Sequence, residues 1–205
     1  MNIWIRLILV SMFVLAVGGL GLSHSAPNKW IGEEVQANIS YLSAEQLKQK
    51  YMKELVILRR LQAADERLSR MQIRFAIAED GPPNAWAQDH GSNGGVITIT
   101  TSMIRLMNRD EDLVASILAH ELSHIKNGDV YDWTVRGEFC NRQTRVCETQ
   151  ADLSGKDIMA KAGYNECMMS HAFKIMLAMD GDPEDPDHPP LKARIKYTQC
   201  ERGAL

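Results

Sequence analysis

Apolar positions at helical spacing open the readable part of the chain. Leu47, Tyr51, Leu55, Leu58, Leu61 and Leu68 recur at steps of three, four and seven, which places them on one face of a helix. Ser43 followed by Gln46 has the form of a capping box, so the helix is expected to run from there to about Arg70. Lys48, Lys50, Arg59, Arg60, Asp65 and Glu66 read as its solvated face. The period then drops to two. Ile73, Phe75 and Ile77 alternate with polar or small residues, a strand pattern ended by Gly81-Pro82-Pro83. Asn84 to Gln88 is a short second strand, and the β-branched run Val96 to Thr100 a third. Together they predict a small antiparallel sheet. After Thr101 the chain is helical. A short helix covers about Met103 to Met107. Asp110 or Asn108 caps the next, whose buried stripe is Leu113, Ile117, Leu118, Leu122 and Ile125, and Gly128 ends it. Further helices are expected over about 142–161, 166–179 and 191–199, with a Pro/Asp-rich loop over 180–190. The fold class is α+β, mainly helical.

Length and composition fit one domain: 205 residues, 45% apolar, 24% charged, net charge −3. The mild acidity, without any Lys/Arg-rich run, argues against nucleic acid as the main partner. Arg6 is the only charge before Lys29, Leu7 to Ala16 is an apolar run, and Ser23 and Ser25 are small residues at −3 and −1 of a cleavage point before Ala26. The expected organisation is a signal peptide over 1–25 and one domain over 26–205, exported to the periplasm or cell envelope. An uncleaved anchor is the rival, since the uncharged stretch up to Lys29 is long enough to span; it would keep the domain beside a membrane. Four cysteines, Cys140, Cys147, Cys167 and Cys200, suit two disulfides in an exported chain, with three connectivities open. Cys140–Cys147 with Cys167–Cys200 is favoured. Seven residues on one continuous helix rise about 10.5 Å, too far for a bridge, so the first pair needs Cys140 in a loop before its partner's helix.

His120-Glu121-Leu122-Ser123-His124 carries the chemistry. Two residues four apart on a helix share a face, so both imidazoles can meet one zinc ion, and Glu121 beside them can act as general base on its water. By itself the pattern arises by chance in roughly one chain of this length in a hundred to two hundred. A zinc hydrolase needs a third protein ligand and an open fourth position. Glu148 is the best downstream candidate, on a separate helix. Asp152, four residues on, can accept a hydrogen bond from a ligand histidine and fix its tautomer. The rival reading makes both ordinary surface acids paired with Arg145 or Lys156.

At these residues the chain resembles the HtpX/BepA/Oma-type zinc metallopeptidases, gluzincins related to the CAAX prenyl proteases. The resemblance rests on Ala119 to Ile125, Glu148-Thr149-Gln150-Ala151-Asp152, Ala162-Gly163-Tyr164, Pro83 to Ala87, Gly95 to Thr100, and His188-Pro189-Pro190 with Arg194-Ile195. Where many relatives carry another histidine soon after the pair, this chain has Lys126-Asn127-Gly128-Asp129. The resemblance implies a zincin-like (minigluzincin) domain holding one zinc ion per chain on His120, His124 and Glu148, and cleaving unfolded or misassembled envelope polypeptides. It further implies that His188 or Arg194 stabilises the developing oxyanion, His188 having a latch role at the open zinc position as its alternative. Val96, Ile97 and Thr98 are then expected in an edge strand above the zinc that takes extended substrate, with Asn84 holding substrate backbone; a plain structural strand and a turn asparagine are the rival. A proteolytically silent, zinc-stabilised adaptor or chaperone is the alternative function. An intact Glu121 weighs against it, because such an adaptor needs no base.

Overall fold

The computed structural model describes residues 40–41, 43–79, 81–89, 94–129, 144–185 and 187–200. The expected signal peptide and Cys140 lie outside them. The capping box forms: Ser43 N–H donates to Gln46 Oε1 at 2.9 Å and Gln46 N–H to Ser43 Oγ at 3.2 Å. The helix it opens does not continue to Arg70. It is α1 (Ala44–Lys50), interrupted at Tyr51 and resumed as α2 (Met52–Ala63), and α3 (Glu66–Ser69) is a separate single turn. Asp65 makes the second break. Its carboxylate caps α3, accepting from the Arg67 and Leu68 N–H groups at 3.0 Å each, and pairs with Lys126 at 2.8 Å. It is therefore buried rather than part of a solvated face.

Four strands follow in the sheet order β1-β2-β4-β3: β1 (Ser40–Tyr41), β2 (Gln72–Glu79), β3 (Ala85–Asp89) and β4 (Gly94–Thr100). β4 runs parallel to β2, pairing Gln72 with Gly94 through Ala78 with Thr100, and antiparallel to β3, pairing Ala85 with Ile99. The sheet is thus mixed, not antiparallel throughout. The consecutive strands β2 and β3 do not pair, and β4 fills the place between them. β4 is also covered on both faces. Ile97 and Ile99 are fully buried and Thr98 nearly so. β3 and the two-residue β1 are the outer strands.

The helical half begins with α4 (Thr101–Leu106), capped by Thr100, and continues with α5 (Glu111–Asn127), capped by Asp110, whose carboxylate accepts from Leu113 N–H at 3.0 Å. Asn108 has φ 52° and is no cap. The last three helices are α6 (Thr144–Lys161), α7 (Met168–Asp180) and α8 (Leu191–Thr198). α5 is central, packed on α6, α2, α7 and the sheet. Leu58, Leu61, Ile77, Ile99, Ile104, Leu118 and Leu122 are fully buried around it, each contributing about 1.5–3 kcal/mol of apolar burial. Cys167 and Cys200 form a disulfide that joins the start of α7 to the end of α8. Cys147 is disulfide-bonded as well. Among the described residues no helix is long and apolar enough to cross a membrane.

Candidate metal centre

Two helices build the site, and a glycine sets how closely they approach. A Cβ at Gly155 on α6 would lie 3.2 Å from the Ala119 carbonyl carbon and the His120 nitrogen of α5, and 2.9 Å from Met169 Cε. Any larger residue would push α6 away from the helix carrying the histidines. With the helices seated, Glu148 and Asp152, one turn apart on α6, both face α5. His120 Nε2 lies 3.2 Å from Glu148 Oε2, His124 Nε2 lies 3.2 Å from Glu148 Oε1, and the two Nε2 atoms are 3.1 Å apart. The imidazole planes are at 89°, so both lone pairs aim into one space.

This donor set fits a metal ion. Both Nδ1 atoms face carboxylates, Asp152 Oδ1 at 2.8 Å from His120 and Asp129 Oδ2 at 3.0 Å from His124. Protons on the Nδ1 atoms leave the Nε2 atoms as acceptors. Acceptor nitrogens and carboxylate oxygens then converge, and Glu148 Oε2 is buried with no hydrogen-bond partner. Tetrahedral zinc with bonds of about 2.0–2.1 Å needs ligand atoms roughly 3.3 Å apart, close to the separations observed. Glu121, one residue from His120, is buried in the same cleft and has no hydrogen-bond or ion-pair partner among the described residues.

A second layer fixes the first. Asp152, fully buried, accepts from Arg194 Nε at 2.8 Å and from a terminal Arg194 nitrogen at 2.6 Å, and Tyr197 Oη donates to it at 2.7 Å. Arg194 and Tyr197 are one turn apart on α8. The Arg194 guanidinium is itself buried and stacks over the Phe173 ring, 4.1 Å from its centre. This corrects one expectation: Arg194 is spent on Asp152 and is not free to reach a substrate oxyanion. Asp129 was not foreseen. Gly128, with φ 79°, closes α5 by donating to His124 and Ile125 carbonyls, and Asp129 N–H follows onto the His124 carbonyl. That turn brings the Asp129 carboxylate back under His124.

The cleft is lined by Ala85, Trp86 and Ala87 of β3 along with the metal-facing residues, Asp187 and His188. The expected substrate strand is therefore corrected. Val96, Ile97 and Thr98 lie in β4, whose backbone is paired on both sides, so no peptide can add to it; β3, which lines the cleft, is paired on one side only among the described residues. Asn84 is a turn residue: its Oδ1 accepts from Ala85 N–H, its carbonyl from Thr100 N–H, and it does not line the cleft. His188 stands at the rim, half-exposed, with Nδ1 2.9 Å from Asp185 Oδ2 and Nε2 3.7 Å from Glu148 Oε1.

Charge is strongly coupled here. Burial would lower the His124 pKa, but hydrogen bonds with Asp129 and Glu148 and the charges of Glu121 and Glu148 raise it to about 10. His120 moves up likewise against its burial, through Asp152 and Glu148. Burial pushes the Glu148 carboxyl up, and the two histidines more than reverse this, holding it well below the usual range. With its pKa raised to about 10, His124 holds an extra proton that a cation must displace. Zinc binding at pH 7 is expected to release at least one proton per ion, and affinity to rise with pH. Calorimetric titration in buffers of different ionisation enthalpy measures the release directly; zinc uptake with no proton released would contradict this charge state.

His120, His124 and Glu148, on two helices, form a group that could hold a metal ion, beside a glutamate with no partner among the described residues and a cleft bordered by the edge strand β3. The sequence matches peptidase family M48 over residues 44–139. It is 42% identical over 57 residues to a protease HtpX homolog of Thermococcus sibiricus, covering 28% of this chain and 19% of that protein. It is 37% identical over 62 residues to the protease HtpX of Idiomarina loihiensis, covering 30% and 21%. A protease HtpX homolog of Salinibacter ruber matches at 30% over 84 residues, covering 41% and 30%. Each match thus spans under a third of the relative. The solved structure of S. mikatae Ste24p aligns with a TM-score of 0.49 at 13% identity, over 76% of this chain and 54% of that one. The sequence likeness is thus to peptidase family M48, whose members are zinc-dependent metalloproteases.

Proposed function

We propose that this protein is a zinc-dependent endopeptidase acting on unfolded or misassembled polypeptides of the cell envelope, exported by residues 1–25. The observation that carries the reading is the convergence of His120, His124 and Glu148 on one point beside the unpartnered Glu121. The disulfides agree with export, since such bonds persist in oxidising compartments.

Zinc held by His120, His124 and Glu148 would lower the pKa of a water and polarise the scissile carbonyl. Glu121, beside the ligand pair, would serve as the general base that accepts a proton from the attacking water and returns it to the leaving nitrogen. His188, at the rim beside Glu148, donates a hydrogen bond to the carbonyl oxygen as it gains charge. The outer edge of β3 takes an extended peptide through backbone hydrogen bonds, which demand little of its sequence. Asp152 and Asp129 hold the imidazoles in the orientation that points Nε2 at the ion.

The test is chemical. Purified protein should bind one zinc per chain and digest unfolded casein. A chelator should abolish digestion, and stoichiometric zinc should restore it. Bound zinc with casein left intact under all conditions would overturn the peptidase reading in favour of a silent, zinc-stabilised adaptor.

A further inference from the structure

Every acidic side chain lining the cleft has a stated task except one. Glu148 faces the two imidazole Nε2 atoms, Asp129 holds His124 Nδ1, and Glu121 sits beside the ligand pair. Asp187 lines the same cleft, half-buried, and its carboxylate has no hydrogen-bond or ion-pair partner among the described residues. It is nonetheless placed firmly. Asp185 Oδ1 accepts from Asp187 N–H at 2.7 Å and His188 N–H at 3.2 Å, and the Asp185 carbonyl accepts from Arg145 at 2.6 Å. The loop thus presents Asp187 and His188 to the cleft side by side.

The remaining wall is Ala85, Trp86 and Ala87 on the edge strand, with the disulfide-bonded Cys147. Among the described residues the lining therefore combines an indole, small side chains, the histidine pair, His188 and four carboxylates, with no lysine or arginine. A zinc ion would offset only part of that charge. The cleft is also small, about 290 Å³, so a substrate side chain entering beside the ion meets Asp187 and Trp86 directly. Lysine and arginine fit such a wall, with an apolar stem for the aromatic face and a cationic head for the carboxylate. An acidic side chain would enter against like charge, which is how clefts reject partners.

From this lining we infer that Asp187 and Trp86 form a subsite for a basic side chain flanking the scissile bond, so that the favoured substrates are cationic segments of unfolded polypeptide. The inference rests on the endopeptidase reading and adds its substrate class.

A quenched-fluorescence peptide library tests it, with Lys, Ala or Glu at each position within three residues of the cut in an otherwise neutral peptide. Wild-type enzyme is expected to favour Lys over Glu by roughly tenfold in kcat/KM at one of these positions, and less at high salt. Asp187→Lys is expected to reverse that ratio at the same position, while Trp86→Ala shrinks it. The Lys-to-Glu ratio within one variant is independent of how much of that variant is folded. Cleavage of all three peptides at equal rates by wild type, or a ratio unchanged in Asp187→Lys, would overturn the subsite and leave the endopeptidase standing. A zinc-loaded wild type that cuts none of the peptides nor casein would overturn both.

Discussion

Glu121→Gln should bind zinc as wild type does and lose about 10²–10⁴-fold in kcat, the usual contribution of a positioned general base. The substitution keeps volume and removes only the capacity to take a proton. Glu121 contributes no bond to the second layer: Asp152 and Asp129 hold the histidines, and Arg194 with Tyr197 hold Asp152. The ligand set therefore survives, which separates this variant from a ligand substitution that loses the ion and the rate together. Metal analysis alongside single-turnover cleavage decides the point. Equal digestion by wild type and Glu121→Gln, both zinc-loaded, would remove Glu121 from the chemistry.

The helix bearing that residue was the most legible element, because independent local signals agree there. Asp110 caps it, Leu113 to Ile125 keep a helical period, and Gly128 in the left-handed region stops it. The placement of Glu148 and Asp152 followed from spacing alone, since four residues on a helix make one turn. Strand order was not legible, because a period of two marks a strand and says nothing about its neighbours. The alternation of Ile97, Thr98, Ile99 and Thr100 gives no sign that this strand is covered on both faces. Helical periodicity also ran through Tyr51 and Asp65 without showing the breaks, although Asp65, three before a buried Leu68, is an N-cap pattern.

The task of Arg194 was out of reach for a different reason. Its partner is 42 residues away in sequence, and only the docking of α8 brings the two together. Tyr197, one turn on, has the same partner and could have been suspected from that spacing. Asp129 stood in plain view after the glycine, but its return to His124 depends on the backbone path of the helix end.

The stability of this centre without its ion rests on Asp152. Its buried carboxylate is shared by His120, Arg194 and Tyr197, and Arg194 is buried with it. Burial would raise the Asp152 pKa, but His120 and Arg194 bring it down to about 2. Asp152→Asn keeps the shape and strands the guanidinium, a change that costs about 3–5 kcal/mol when one partner of a buried pair is lost. It also releases the His120 ring, which should weaken zinc binding about 10–100-fold. A carboxylate with a depressed pKa contributes its stability above its unfolded pKa of 3.8, and loses it as pH falls through the folded value. Denaturant unfolding of the metal-free proteins should therefore show the full gap at pH 6 and a narrowing gap from about pH 4 toward 2. A gap of the same size at both ends would mean that the charge of Asp152 is not what holds α8 against α6.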